Sequence, residues 1–491
     1  MPKRPAGSLA DVEISFSGKS PLHRQLYVAL KNAILHGQLR AGARLPSTRA
    51  IADDLGVSRT TVLNAFDQLS AEGYLEGAVG SGTRVTRSIP GDLKELAAKA
   101  RARTSRGSPK IAGRARLKSG ADLSFLRTAA RPLRPGHPDL RLFPLDLWAR
   151  LSAKHWRRAT RDPEHADSLG YRPLRQAVCE YIAKLRGVRC EPDQVLIVGG
   201  AQQAIYLCAH ILLDAGDVAW FEEPGYPRAR AALLSAGLKL VPVPVDSEGL
   251  IVSAGRRRAP SPKLVFVTPS FQCPLGSMMS LSRRFELLAL SRESDVWILE
   301  DDYFCEYRHG SNPAASLQSL DRSDRVIYVG SFSKSIVPSL RLGYLVLPRA
   351  LVDVFTRVRQ TMSRQPPGVD QSVLAEFISE GHLERHVRAT LRVYRERQEA
   401  LMAALQADAR RLIDVSSRGT GMYLVGWLRA GVNDRTAAKA AAADGVDVIP
   451  LSAFSIEPSQ RPGLVLGYSG YDTNRIRVAV KRLARTLSRL D

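Results

Sequence analysis

The chain has 491 residues, enough for roughly three domains at the usual size and for several buried cores. Hydrophobic residues make up 44% and charged residues 24%, which excludes global disorder and collagen-like or mucin-like character. With 71 Lys plus Arg against 48 Asp plus Glu the formal net charge is +23, which points to a polyanionic partner.

No apolar run approaches the roughly 18 residues of a membrane span. Met1-Pro2-Lys3-Arg4-Pro5 is not followed by a continuous apolar stretch, so a cytoplasmic protein with no membrane partner is expected. The five cysteines (Cys179, Cys190, Cys208, Cys273, Cys305) lack close pairs in sequence, and the nine histidines lack ligand spacing, so no metal is expected. Only 14 of the 71 basic residues are Lys, which makes a Lys in a conspicuous setting informative.

The charge is unevenly spread. Residues 1–86 carry +3, residues 87–120 carry +8 and the remaining 371 carry +12. The middle block runs from Ser88-Ile89-Pro90-Gly91 through Arg101, Arg103, Arg106 and Lys110 to Lys118 with few large apolar residues. It is expected to be a basic linker between an N-terminal unit, 1–86, and a large one, 121–491.

In the N-terminal unit, Leu22, Leu26, Ala29, Leu30, Ala33 and Ile34 recur with helical spacing up to Gly37. Ser47 or Thr48 is placed to cap a second helix ending at Leu55-Gly56, and Ser58 a third with Val62, Ala65, Phe66 and Leu69 on one face. Two short helices joined by a glycine turn make a helix-turn-helix. The other face of the third helix opens with Arg59, Thr60, Thr61 and Asn64, types that bond phosphates and base edges. Tyr74-Leu75-Glu76, the Gly77–Gly82 tip and Thr83-Arg84-Val85 follow as a β-ribbon. A generic three-helix domain with a hairpin has the same outline.

The runs Arg44-Leu45-Pro46-Ser47-Thr48-Arg49-Ala50-Ile51-Ala52, Leu55-Gly56-Val57-Ser58-Arg59-Thr60-Thr61-Val62, Glu72-Gly73-Tyr74 and Gly80-Ser81-Gly82-Thr83 resemble the winged helix-turn-helix of GntR-type bacterial transcription factors. The resemblance implies that Arg44, Ser47, Arg49, Ser58, Arg59, Thr60 and Thr61 face operator DNA. It also brings the wing tip near Gly80 towards the minor groove.

Across residues 170–350 strand-like apolar runs alternate with helical segments, the pattern of an α/β fold with a mainly parallel sheet and ligands at the strand carboxyl ends. Val195–Val198 is followed by Gly199-Gly200-Ala201-Gln202-Gln203, small residues that leave helix N–H groups free for a phosphate. Trp297-Ile298-Leu299 leads into Glu300-Asp301-Asp302-Tyr303, a run of carboxylates of which any that are buried require a cation. Val326–Val329 leads into Gly330-Ser331-Phe332-Ser333-Lys334, with Arg341 seven residues on. That spacing suits an amine nucleophile beside a phosphate clamp, and equally a surface Lys.

An amine, a carboxylate and a phosphate site at neighbouring strand ends meet the needs of pyridoxal phosphate. From about residue 120 onward, including Leu169-Gly170-Tyr171-Arg172-Pro173-Leu174-Arg175 and Glu223-Pro224-Gly225-Tyr226, the chain resembles fold-type I aminotransferases. The subdomains are expected at about 160–350 (large) and 351–491 (small). A GntR-like reader joined to such a unit is the arrangement of the MocR/GabR-type regulators. The resemblance implies that Lys334 forms the Schiff base, that Asp301 pairs with the pyridinium nitrogen and that Tyr303 bonds the phenolic oxygen. Ser331, Ser333 and Arg341, with the backbone at Ala201 and Gln202, would hold the phosphate, and Tyr226 would lie beside the ring. Arg228 would bind an effector's acidic group, and Arg461 is a candidate for a second such Arg.

One segment departs from the family pattern. Where the family usually has Pro-Ser-His-Gln, an aromatic, then Pro-Thr-Gly, this chain has Pro269-Ser270-Phe271-Gln272-Cys273-Pro274-Leu275-Gly276, which removes polar and stacking contacts on the ring's phenolic side. The expected function is a homodimeric regulator that senses an amine or pyridoxal phosphate itself. An active aminotransferase with an accessory DNA domain, and a regulator that no longer binds the cofactor, are the alternatives.

Overall fold

The structure is a computed structural model that describes residues 12, 14, 16, 20–78, 82–87, 131–158, 167–304, 306–307, 315–363, 367–415, 421–458 and 461–490. The chain divides into two compact units, residues 1–110 and 111–491. The expected linker lies, from residue 88 on, outside the described residues, as does Gly80.

The first unit contains α1 (Leu22–Leu35), α2 (Thr48–Leu55), α3 (Arg59–Ala71), β1 (Leu75–Ala78) and β2 (Gly82–Val85). Ser47 Oγ accepts from Ala50 N and Ser58 Oγ from Thr61 N, each at 3.1 Å, so the two serines fix where α2 and α3 begin. Leu26, Leu30, Ile51, Val62, Phe66 and Leu69 bury the facing sides of the helices in one core. The strands pair antiparallel with Leu75 opposite Val85, and both side chains join that core. Tyr27 and Lys31 of α1 both donate to the Glu72 carboxylate just beyond α3, which joins the two helix ends.

In the second unit, β3 (Val195–Val198), β4 (Val218–Glu223), β5 (Lys239–Asp246), β6 (Gly249–Leu250), β7 (Leu264–Val267), β8 (Trp297–Asp302), β9 (Val326–Ser331) and β10 (Gly343–Val346) form one sheet. Its order is β3-β10-β9-β8-β7-β4-β5-β6. Strands β5, β4, β7, β8 and β9 are parallel, whereas β10 runs antiparallel to both β3 and β9. The continuous apolar runs Val195–Val198, Leu264–Val267 and Val326–Val329 are buried on both faces, as helix-covered strands require. The helices are α4 (Leu145–Trp156), α5 (Arg172–Arg186), α6 (Ala201–Leu212), α7 (Pro227–Ser235), α8 (Val252–Arg258), α9 (Leu281–Ser294), α10 (Leu317–Leu320), α11 (Val352–Met362) and α12 (Gly368–Ser379).

A second sheet, β11 (Ile413–Asp414), β12 (Tyr423–Leu428), β14 (Gly463–Gly467) and β13 (Ile449–Pro450) in that spatial order, is wholly antiparallel. It shares a core with α13 (His382–Asp408), α14 (Asp434–Ala443) and α15 (Thr473–Leu487). Val369, Val373, Leu374 and Phe377 of α12 instead pack with α5 and β3, so this stretch joins the larger sheet rather than the small subdomain expected from residue 351.

Residues 132–139 are gripped by the C-terminal part of the chain. Gly467 N donates to Leu133 O (2.7 Å), Asp447 N to Pro132 O (2.9 Å) and Ser469 Oγ to His137 O (2.6 Å), while Arg397 pairs with Asp139 at 2.7 Å. A Cβ on Gly467 would lie 2.1 Å from Arg134 O, so only glycine allows this approach. No helix of the described residues is long and apolar enough to cross a membrane. Among the described residues no group of three or more His, Cys, Asp or Glu is placed to hold a metal ion.

Candidate functional site

The strand ends of the large sheet open into a cavity of roughly 460 Å³, whose far wall is supplied by the smaller sheet. Lys334, Asp301, Tyr303, Ser331, Ser333, Arg341, Ala201, Gln202, Tyr226 and Arg228 all line it. Arg461 does not. Its guanidinium pairs with Asp414 at 2.9 Å on an exposed edge and stacks on Trp427, so the structure does not bring it to the pocket. A position just ahead of a strand gave no information about which way the side chain turns.

The three consecutive carboxylates have separate fates. Glu300 accepts from the N–H groups of Leu317 and Gln318, both at 2.9 Å, with Arg284 at 3.9 Å. Asp302 receives Arg186 Nε at 2.7 Å and the Tyr328 hydroxyl at 2.9 Å in a fully buried network. Asp301, between them, faces the cavity. It is 2% exposed and its Oδ1 has no hydrogen-bond partner. Burial, reinforced by the charges of Asp302 and Glu222 and partly offset by Lys334, pushes it up to about 7. A buried acceptor of this kind is what a cationic ring N–H requires.

Lys334 leaves β9 three residues past its end and points its amine into the cavity, where it donates to Gly136 O at 2.7 Å. Burial, with the Arg228 charge adding to it, lowers its pKa to about 8 against the opposing effects of Cys273 and Asp301. At neutral pH roughly a tenth of this amine is therefore unprotonated and nucleophilic, far more than for an ordinary Lys.

An anion site adjoins it. Helix α6 starts at Ala201 after Gly200, which adopts φ 93° with the Arg341 guanidinium 3.4 Å from where a Cβ would stand. Ser331 and Ser333 come from the end of β9, and Arg341 itself is held at φ 53°. Unpaired N–H groups of a helix start, two hydroxyls and a guanidinium form a phosphate cradle.

On the opposite side the Tyr303 and Tyr423 hydroxyls meet at 2.8 Å, linking the end of β8 to β12. Burial raises both phenols, and it pushes the neighbouring Cys273 thiol up to about 12, leaving it protonated. Phe271 stands behind this group, 5.4 Å from the Tyr423 ring and 5.1 Å from the Phe304 ring, as part of an aromatic cluster. Tyr423, His137 and Arg134 were not identified from the sequence as lining residues, because they are brought in from distant parts of the chain. Arg134 is neutralised by buried Asp447 at 2.9 Å.

In the first unit Arg44, Arg49, Arg59, Thr60 and Asn64 are exposed. Ser47 and Ser58 spend their hydroxyl oxygens on capping, and Thr61 Oγ1 lies 2.9 Å from Ser58 Oγ. Arg84 of β2, opposite Arg44 in a β-bridge and exposed, adds a cation not expected from the sequence.

Residues 22–85 match the profile of the bacterial regulatory proteins of the gntR family, and residues 144–483 that of aminotransferase class I and II. The chain is 41% identical to the probable rhizopine catabolism regulatory protein MocR of Rhizobium meliloti, over 94% of this chain and 93% of that protein. It is 34% identical to the HTH-type transcriptional regulator TauR of Rhodobacter capsulatus, over 96% and 97% of the two chains. Among solved structures, the α-aminoadipate aminotransferase LysN of Thermus thermophilus, complexed with N-(5'-phosphopyridoxyl)-L-leucine, is 28% identical. That superposition has a TM-score of 0.68 and covers 81% of this chain and 98% of that one. A gntR-type reading unit and an aminotransferase class I and II unit matched end to end by such relatives place the chain in the MocR-type family of transcriptional regulators.

Proposed function

We propose that this regulator binds pyridoxal phosphate at Lys334 and changes its hold on operator DNA in response to an amine-bearing small molecule or to the cofactor itself. The observation that carries the reading is the convergence, in one cavity, of a nucleophilic Lys amine, an unpartnered buried Asp oxygen and a phosphate cradle. The residues fit the group. When bound, pyridoxal phosphate supplies an aldehyde that amines capture reversibly and a ring that draws electrons from them. Lys334 would provide the resident amine, Asp301 would accept the ring N–H, and Tyr303 would donate to the phenolic oxygen. Ser331, Ser333, Arg341 and the α6 N–H groups at Ala201 and Gln202 would bind the phosphate, with Tyr226 against the ring. Relatives support this reading: the LysN complex holds a phosphopyridoxyl compound on the same fold.

Arg228 lines the cavity and has no carboxylate partner among the described residues, so it is the candidate for an effector's acidic group. The wall from the smaller sheet, Tyr423, Ile449, Phe454 and Val465, brings no further cation. An amine with one acidic group therefore suits the pocket better than one with two. Exposed Arg44, Arg49, Arg59 and Thr60 would contact DNA, with Ser47, Ser58 and Thr61 setting the helix start that presents them. Two such units in a homodimer would read a symmetric site.

Reconstitution with pyridoxal phosphate followed by titration with γ-amino acids, taurine-like amines and α-amino acids tests the proposal. A visible absorption band is expected that changes with the effector and is lost in Lys334→Ala, alongside a change of at least about fivefold in affinity for the chain's own upstream DNA. No band, or a band without any effect on DNA binding, would overturn it. The aminotransferase match over most of the chain favours a second reading as an active enzyme. Steady formation of keto acid from an amino donor would establish that one.

A further inference from the structure

We infer that the exposed face of α15 is a second polyanion-binding surface, one that takes the phosphate backbone of duplex DNA outside the sequence read by the helix-turn-helix unit. From Thr473 to Arg489 the chain has six basic residues and no acidic one. Arg477, Lys481, Arg485 and Arg489 recur every fourth residue and all are exposed, whereas Ile476, Ala479, Val480, Leu483 and Leu487 are buried in the core shared with α13. The buried stripe fixes which way the helix faces, so the cations form a row of fixed direction. At about 1.5 Å rise per residue the helical part of the row, Arg477 to Arg485, is roughly 12 Å long with a charge every 6 Å or so, and Arg489 follows two residues past the helix end. That spans about three to four phosphates of one strand along a duplex axis.

Such a row is unfavourable for the helix itself, because like charges four residues apart repel. Several exposed arginines elsewhere in the unit have acids beside them: Arg256 with Glu293, Arg258 with Glu457, Arg388 with Glu384. Among the described residues, acids stand beside Arg475 near the start of α15 and beside Arg489 in the turn after it, Asp472 and Asp444, both at 3.6 Å. Lys481 and Arg485 have no acidic partner among the described residues, and Arg477 reaches only the Asn474 amide oxygen, at 3.1 Å. Attraction to the negative end of the helix accounts for Arg485 and Arg489 but not for Arg477 or Lys481, one to two turns earlier. Val478 is the large apolar side chain exposed among the described residues of this helix, so the face lacks the apolar stripe that inserts into a lipid surface. The gntR-type unit of the same chain would hold a duplex at high local concentration, which favours DNA as the polyanion.

The test uses the full-length protein and its Arg477→Gln/Lys481→Gln/Arg485→Gln variant on two duplexes of the chain's own upstream DNA, one short and one extended on both sides. Because the substituted positions are exposed, an unchanged melting temperature and unchanged pyridoxal phosphate spectrum are expected. On the long duplex the slope of log K against log salt is expected to fall by about 3. The short duplex should be affected much less. A second variant, Arg59→Ala, should lose sequence preference yet keep the α15-dependent part of the slope. Identical slopes for the triple variant and its parent on the long duplex would overturn the proposal. So would binding to phosphatidylglycerol vesicles that the triple substitution abolishes while DNA binding stays intact. Failure of the parent protein to bind either duplex would instead sink the regulatory reading on which this surface rests.

Discussion

Asp301 and Glu222 are both buried near the ends of the strands, and burial pushes each up to about 7. A carboxyl whose folded pKa lies above its unfolded value stabilises the fold fully only below the unfolded value, and the contribution fades as pH rises towards the folded one. Cofactor-free protein should therefore lose stability between about pH 4 and pH 7, with Asp301 alone accounting for on the order of 4 kcal/mol of the change. Lys334, lowered to about 8, titrates mainly above this window. Asp301→Asn should flatten the profile in urea unfolding and raise stability at pH 8, while weakening pyridoxal phosphate binding. A variant with the parent's slope would show that Asp301 does not titrate there. Lys334 and Asp301 were legible as cavity residues because each lies at or just past a strand end, of β9 and β8, so that a local run contains both the strand and the chemistry. Tyr423 and Gly136 had no such signal: they meet Tyr303 and Lys334 across 120 and 198 positions of chain.

At the level of elements, the site depends on how α5 is tied to β8. Arg186, the last residue of α5, forms an ion pair with Asp302 in which neither side chain is exposed to solvent, and it also donates to Ser270. Arg186→Met should cost about 3–5 kcal/mol by leaving the Asp302 charge buried and unpaired. Combining it with Asp302→Leu should recover much of that loss, a comparison that denaturant midpoints can make. On β14, Gly467→Ala should cost about 1–3 kcal/mol through overpacking against Arg134 O and should weaken binding of the proposed cofactor, since residues 134–137 line the cavity. An unchanged cofactor affinity would show that this segment does not shape the pocket. The α/β character was legible, because apolar strands and amphipathic helices alternate. The antiparallel insertion of β10 between β3 and β9 was not, since a strand buried on both faces carries no mark of its direction.

At the scale of the molecule, each unit has its own hydrophobic core, and Leu26, Leu30, Val62 and Phe66 belong to that of the first. Calorimetry should resolve two transitions, and pyridoxal phosphate should raise only the larger, by about 2.7 kcal/mol at a hundredfold excess over its Kd. A single transition displaced as a whole would show the units unfold together. The grip on residues 132–139 has a further consequence, for the order of events during synthesis. Gly467, Asp447, Ser469 and Arg397 hold that segment, and the strand pair β3–β10 joins Val195 to Val346, so the second unit closes only after nearly all of it has left the ribosome. The reading unit, whose described contacts lie within residues 12–86, can fold long before. A newly made chain thus completes its gntR-type fold well before the cavity of the second unit exists.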